Sequence, residues 1–136
     1  MYGSKATEDV ISEWNKLASD VIRALELAGL AVSQTSDSGD DAGPEVAVDL
    51  SGDEEGGVFV KWKVSTPLSK SVAQRVMTGE LDNDDVRHYG VISTEMHSAL
   101  MTIITSAGFY AIDASDDMDP FTIRVERADG EGLSPS

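Results

Sequence analysis

Two runs of strict alternation constrain this chain more than any other feature. In Glu45 to Leu50, Val46, Val48 and Leu50 alternate with Glu45, Ala47 and Asp49. In Val58 to Ser65, Val58, Val60, Trp62 and Val64 alternate with Phe59, Lys61, Lys63 and Ser65. Successive side chains of a strand point to opposite faces, so each run is a strand with one apolar and one mixed face. The connector SGDEEGG consists of turn formers and joins the two as a hairpin. A lone hairpin is marginal in water, so its apolar face must be covered by other elements.

Helices with matching stripes are present. Val10, Ile11, Trp14, Leu17, Ala18, Val21, Leu25 and Ala28 recur at the three-and-four spacing of one helix face. Thr7 is placed to cap this helix, Glu8 and Asp9 suit the positive end of its dipole, and Gly29 is placed to end it. Leu30 to Thr35 reads as a short strand, followed by the loop chemistry of SDSGDDAGP. Thr66 as cap and Pro67 at the first helical position start a second helix that stops near Gly79. ELDNDDVRHYG, Glu80 to Gly90, holds at most one further helical turn. A longer helix runs from about Ser93 to Ala107 with Met96, Ala99, Leu100, Ile103 and Ile104 on its buried side. Phe109 to Ala114 and Phe121 to Arg127 form a last hairpin, with Phe121, Ile123 and Val125 facing in and Thr122, Arg124 and Glu126 facing out. The expected fold is α+β: an antiparallel sheet of about five strands with helices packed on one face, in the order αβββααββ. Residues 7–127 are one domain on this reading, with 1–6 a flexible N-terminus and 128–136 a disordered tail. ELAGLAVSQTSD and TSAGFYAIDASDD both leave a helix through Ala-Gly into a strand, either as the trace of a duplication or because Ala-Gly is a good helix exit.

Charge narrows the function classes. Acid outweighs base by 25 to 10, giving a formal net charge of -15. Duplex nucleic acid is bound by Lys and Arg neutralising phosphates, and the longest basic cluster here is Lys61 with Lys63, so neither nucleic acid nor an anionic membrane surface is an expected partner. There is no cysteine, which excludes disulfides, zinc-thiolate sites and thiol nucleophiles. MYGSKATEDV has no apolar signal core, and no apolar run is long enough to span a bilayer; a cytoplasmic location is expected.

Catalytic patterns are missing. The acidic clusters DSGDD, GDEEGG, DNDD and DASDDMD do not fit a calcium loop: counted from Asp113 the sixth position is Met118 and the twelfth Arg124, and from Asp82 the sixth is Arg87. No metal and no cofactor is expected. His88 and His97 are the only imidazoles; His88 lies beside Asp84, Asp85 and Tyr89, and His97 is expected on the polar side of the long helix. No HExxH, GxSxG, P-loop or GxGxxG pattern occurs. Trp14 and Trp62 belong to core-facing stripes.

What remains is the outer face of the hairpin. Alternation places Phe59 there with Lys61 and Lys63, beside Glu45 and Asp49, and adds Arg124 if the last hairpin lies alongside. An apolar ring flanked by cations in an acidic chain suits an acidic protein segment or a second subunit, making Phe59, Lys61, Lys63 and Arg124 the expected protein-binding residues. In element order and acidity the chain resembles the small secretion chaperones, which bind partner proteins through an α+β sandwich, often as dimers. An immunity or inhibitor protein with an acidic face matches the composition equally well. The alternative is a small-molecule binder or enzyme with its site near His88, Tyr89 and His97.

Overall fold

Thr7 caps the first helix as its sequence suggests: its side-chain oxygen accepts from the Val10 N–H at 3.3 Å, and α1 then runs Glu8–Leu27. In the computed structural model, which describes residues 7–34, 42–50, 56–115 and 120–128, α1 is followed by β1 (Ser33–Gln34), β2 (Gly43–Asp49), β3 (Gly57–Lys63), α2 (Thr66–Met77), α3 (Asp84–Ser106), β4 (Phe109–Asp113) and β5 (Ile123–Arg127). The order αβββααββ is as expected. Residues 1–6, the tail beyond Ala128, most of SDSGDDAGP and SGDEEGG, and Asp116 to Asp119 of DASDDMD lie outside the described residues.

The five strands form one sheet in the order β1-β2-β3-β5-β4. It is mixed, where an antiparallel sheet was expected: β1 runs parallel to β2, and the other pairs are antiparallel. Length explains the exception. Parallel neighbours normally need a long crossover to return the chain to the same end. With β1 only two residues long, the return to β2 spans only roughly 10 Å, within reach of a short loop.

Leu17, Ala18, Val21 and Leu25 of α1 and Leu100 and Ile104 of α3 meet Val46, Val58, Val60, Ile123 and Val125 of the sheet in one core. Trp14, Val48, Trp62 and Ile103 pack against it half-buried. α2 has no buried residue and packs mainly on α3, so it forms an outer layer on that helix. Among the described residues, no helix covers the other face of the sheet.

Three local readings change. α3 begins at Asp84 and continues through Gly90, because Asn83 caps it, its Oδ1 accepting from the Asp85 N–H at 2.8 Å, and Asp84 and Asp85 occupy the first turn. A single interior glycine costs about 1 kcal/mol against alanine, too little to break a helix packed along its length. α2 is capped by Ser65, with Thr66 already helical. β5 begins at Ile123: Phe121, at φ 64, belongs to the preceding turn, and Thr122, expected to face out, is buried. The Ala-Gly echo is local geometry. Ala28 and Ala107 both end helices in right-handed conformation and Gly29 and Gly108 both have positive φ, yet β1 then pairs parallel and β4 antiparallel, at opposite edges of the sheet.

Candidate functional site

Strand register assembles the outer face from distant parts of the chain. Ala47 is opposite Phe59, Phe59 opposite Arg124, and Arg124 opposite Ile112, so one row crosses β2, β3, β5 and β4. Glu45 is opposite Lys61, and Lys63 opposite Gly43. Asp49 is registered with Gly57, on the far side of Phe59 from the lysines. The expected cross-strand ladder of two acids and two lysines thus reduces, in register, to Glu45 with Lys61.

Phe59, Lys61, Lys63 and Arg124 do share this face, and the sheet sets their arrangement. The Arg124 guanidinium lies over the Phe59 ring, 5.5 Å from its centroid, an arrangement in which the ring face attracts the cation. It reaches that position across Gly57, where any Cβ would meet the guanidinium at 3.2 Å. Arg124 Nε also donates to Glu126 at 3.0 Å. The ring that sequence alone left needing cover is therefore roofed by an arginine, and both residues are half-buried. Beside them Ile112 and Tyr110 of β4 are 41% and 49% exposed, which extends the row as an apolar patch. These two were missed from sequence; alternation within FYAID, with Phe109 and Ala111 on the core side, was the signal that places them.

The alternative trio does not come together. His88 and His97 are nine residues apart on α3, half a turn out of phase, so they face opposite ways. His88 lines an open hollow of about 580 Å³ with Trp62, Val64, Leu68, Asp85 and Ile92; Tyr89 and His97 do not line it. In the hollow the Asp85 carboxylate accepts from the Ser71 hydroxyl. His97, expected on the polar side, shares the inward stripe of Ser93, Leu100 and Ile104, because spacings of four, three and four return to one helix face. Its side chain is 14% exposed, its Nε2 lies 3.6 Å from Asp113, and its ring meets Phe121 edge-on at 5.8 Å. Hydrogen bonds from Ser115, then the nearby His97, hold the Asp113 carboxyl below the usual carboxylate range. Asp20 of α1 is lowered likewise, chiefly by a 2.7 Å bond from Arg127 of β5 that ties helix to sheet.

Among the described residues no three His, Asp or Glu side chains are grouped to hold a metal ion, and no helix is long and apolar enough to cross a membrane. The fold and this face together define an α+β domain with one helix-covered and one helix-free sheet face. Comparison with known protein families, with curated proteins and with solved structures finds no match.

Proposed function

We propose that the chain is a small protein-binding module, of the chaperone, immunity or adaptor kind, that acts through the helix-free face of its sheet rather than by catalysis. One observation carries this reading: the row Ala47, Phe59, Arg124 and Ile112, flanked by Lys61 and Lys63, gathers apolar surface and cations on one face of a chain with net charge -15. Large rings and arginines flanked by charge are the usual anchors of protein interfaces. The surrounding acid repels acidic partners everywhere else, so an acidic segment with an apolar residue is steered to this row. The cations need not be unpaired for this; a partner carboxylate exchanges with Glu126 on Arg124.

Capture from the protein's own cell extract tests the reading. Lys61→Glu with Lys63→Glu abolishes capture and leaves the thermal midpoint within a few degrees, while Lys16→Glu with Lys70→Glu, equal in net charge but on the helices, leaves capture intact. Phe59→Ala weakens association by more than about 1 kcal/mol. Capture unchanged by the first double reversal moves the binding surface to the helices. A second reading, a small-molecule site, is favoured only by the hollow at His88, whose wall combines Trp62 and Ile92 with Asp85. A ligand there changes Trp62 fluorescence, and His88→Ala removes the change.

A further inference from the structure

Both edges of an open sheet carry backbone groups without a strand to pair with, and proteins blunt such edges by brevity, charge, proline or bulges. β1 is blunted by brevity, being two residues long. β4, at the other edge, uses none of these devices. Its sequence FYAID has no proline and no lysine, its register with β5 is unbroken over all five residues, and its one charge, Asp113, sits at the end. That is unusual in a chain so rich in acid.

The hydrogen-bond phase of β4 follows from one bond. The Ala114 N–H donates to the Thr122 carbonyl at 2.8 Å, which makes these two a bonded pair. In an antiparallel ladder bonded and non-bonded pairs alternate, so Tyr110 and Ile112 bond to β5, while Phe109, Ala111 and Asp113 direct N–H and C=O toward the open edge. Among the described residues these outward groups have no backbone partner.

We infer that β4 pairs antiparallel with β4 of a second copy of this chain, about a two-fold axis at Ala111, so that two five-stranded sheets become one continuous sheet. Only the register centred on Ala111 uses every outward group: Ala111 pairs with its own equivalent, and Phe109 with Asp113 of the other copy, in both directions. The same register sets Tyr110 of each chain against Ile112 of the other in non-bonded pairs, where side chains approach most closely. Aromatic against β-branched is a favourable cross-strand pair, and it covers apolar surface that is now 49% and 41% exposed. Asp113 stays at the strand end, beside His97 on the helix side. A second copy is the occupant because the edge is self-complementary, whereas an acidic partner gains nothing from a strand without cations. One strand pair is smaller than a standard interface, so the dimer is concentration-dependent. The inference does not rest on the binding role of Phe59, Lys61 and Lys63.

Sedimentation velocity of the full chain, over a concentration series in about 0.05 and about 0.5 M NaCl, tests it. The wild type dimerises, and more strongly in high salt, because salt screens repulsion between copies of charge -15 while leaving backbone and apolar pairing intact. Ala111→Pro removes the central outward donor and weakens dimerisation roughly tenfold or more. Ile112→Lys, on the exposed side of the strand, does the same while reducing net negative charge, and serves as the deciding variant if the proline chain fails to fold. A wild type that stays monomeric in both salts overturns the inference. So does a dimer that survives Ile112→Lys, or one that weakens with salt and is lost in Lys61→Glu with Lys63→Glu, which would place the contact on the cationic row.

Discussion

Gly57→Ala perturbs the fold and the candidate face at one position. Gly57 opens β3 at φ 135, a conformation side-chain-bearing residues rarely adopt. Forcing alanine there costs about 1–3 kcal/mol in backbone strain. The new Cβ would also sit 3.2 Å from Arg124 Nη2 and 3.4 Å from its Cζ. Both atoms end a flexible side chain, so the guanidinium moves rather than the strand, and its hold on Phe59, worth roughly 0.5–1 kcal/mol, is loosened. The two effects together come to about 1.5–4 kcal/mol. With a urea dependence of about 1–3 kcal/mol per molar for a domain of this size, the midpoint falls by roughly 1 M. Repeating the substitution in Arg124→Ala separates the parts. Only strain remains in that background, so Gly57→Ala costs less there by about 0.5–1 kcal/mol, just beyond the usual error of additivity. An unchanged urea midpoint would refute the backbone argument, and equal costs in both backgrounds would refute the placement of Arg124 across Gly57.

Two further outcomes test the packing. Leu100→Ala or Ile104→Ala, each at a fully buried position between α3 and the sheet, lowers stability by roughly 2–5 kcal/mol in denaturant titration; an unchanged midpoint would show that α3 does not bury this stripe. Asp20 is held below the usual carboxylate range, with its bond from Arg127 as the largest cause, so its contribution is fully present above the unfolded-state pKa and is lost as pH falls through the folded value. Asp20→Asn therefore flattens the fall of Tm with acidification, and equal slopes in the two proteins would show that the pair across α1 and β5 does not form.

What could be read from sequence was local periodicity. Alternation in EVAVDL and VFVKWKV placed Phe59, Lys61 and Lys63 on one face, and the α1 stripe predicted Leu17, Val21 and Leu25 in the core. Periodicity says nothing about which strands become neighbours, so the β3–β5 pairing that sets Arg124 on Phe59 entered only as a condition. β1 was too short to show its direction. The start of α3 was missed because His88, Tyr89 and Gly90 interrupt the apolar pattern, while its real signal, Asn83 ahead of Asp84 and Asp85, was read as an acidic turn. His97 was misplaced because its polarity was weighed above its spacing from Leu100 and Ile104. The sharing of the site between Arg124, Gly57 and Ile112 is a property of the assembled sheet.

The central claim is that the helix-free face is where a partner binds. Photocrosslinking from a benzophenone side chain at position 59, which keeps an aromatic ring under Arg124, tests it in the native extract, with position 27 at the exposed end of α1 as the control. The account predicts a discrete adduct with a partner chain from position 59, lost on Lys61→Glu with Lys63→Glu, and none from position 27. Adducts from position 27 alone, or from neither position, would contradict it.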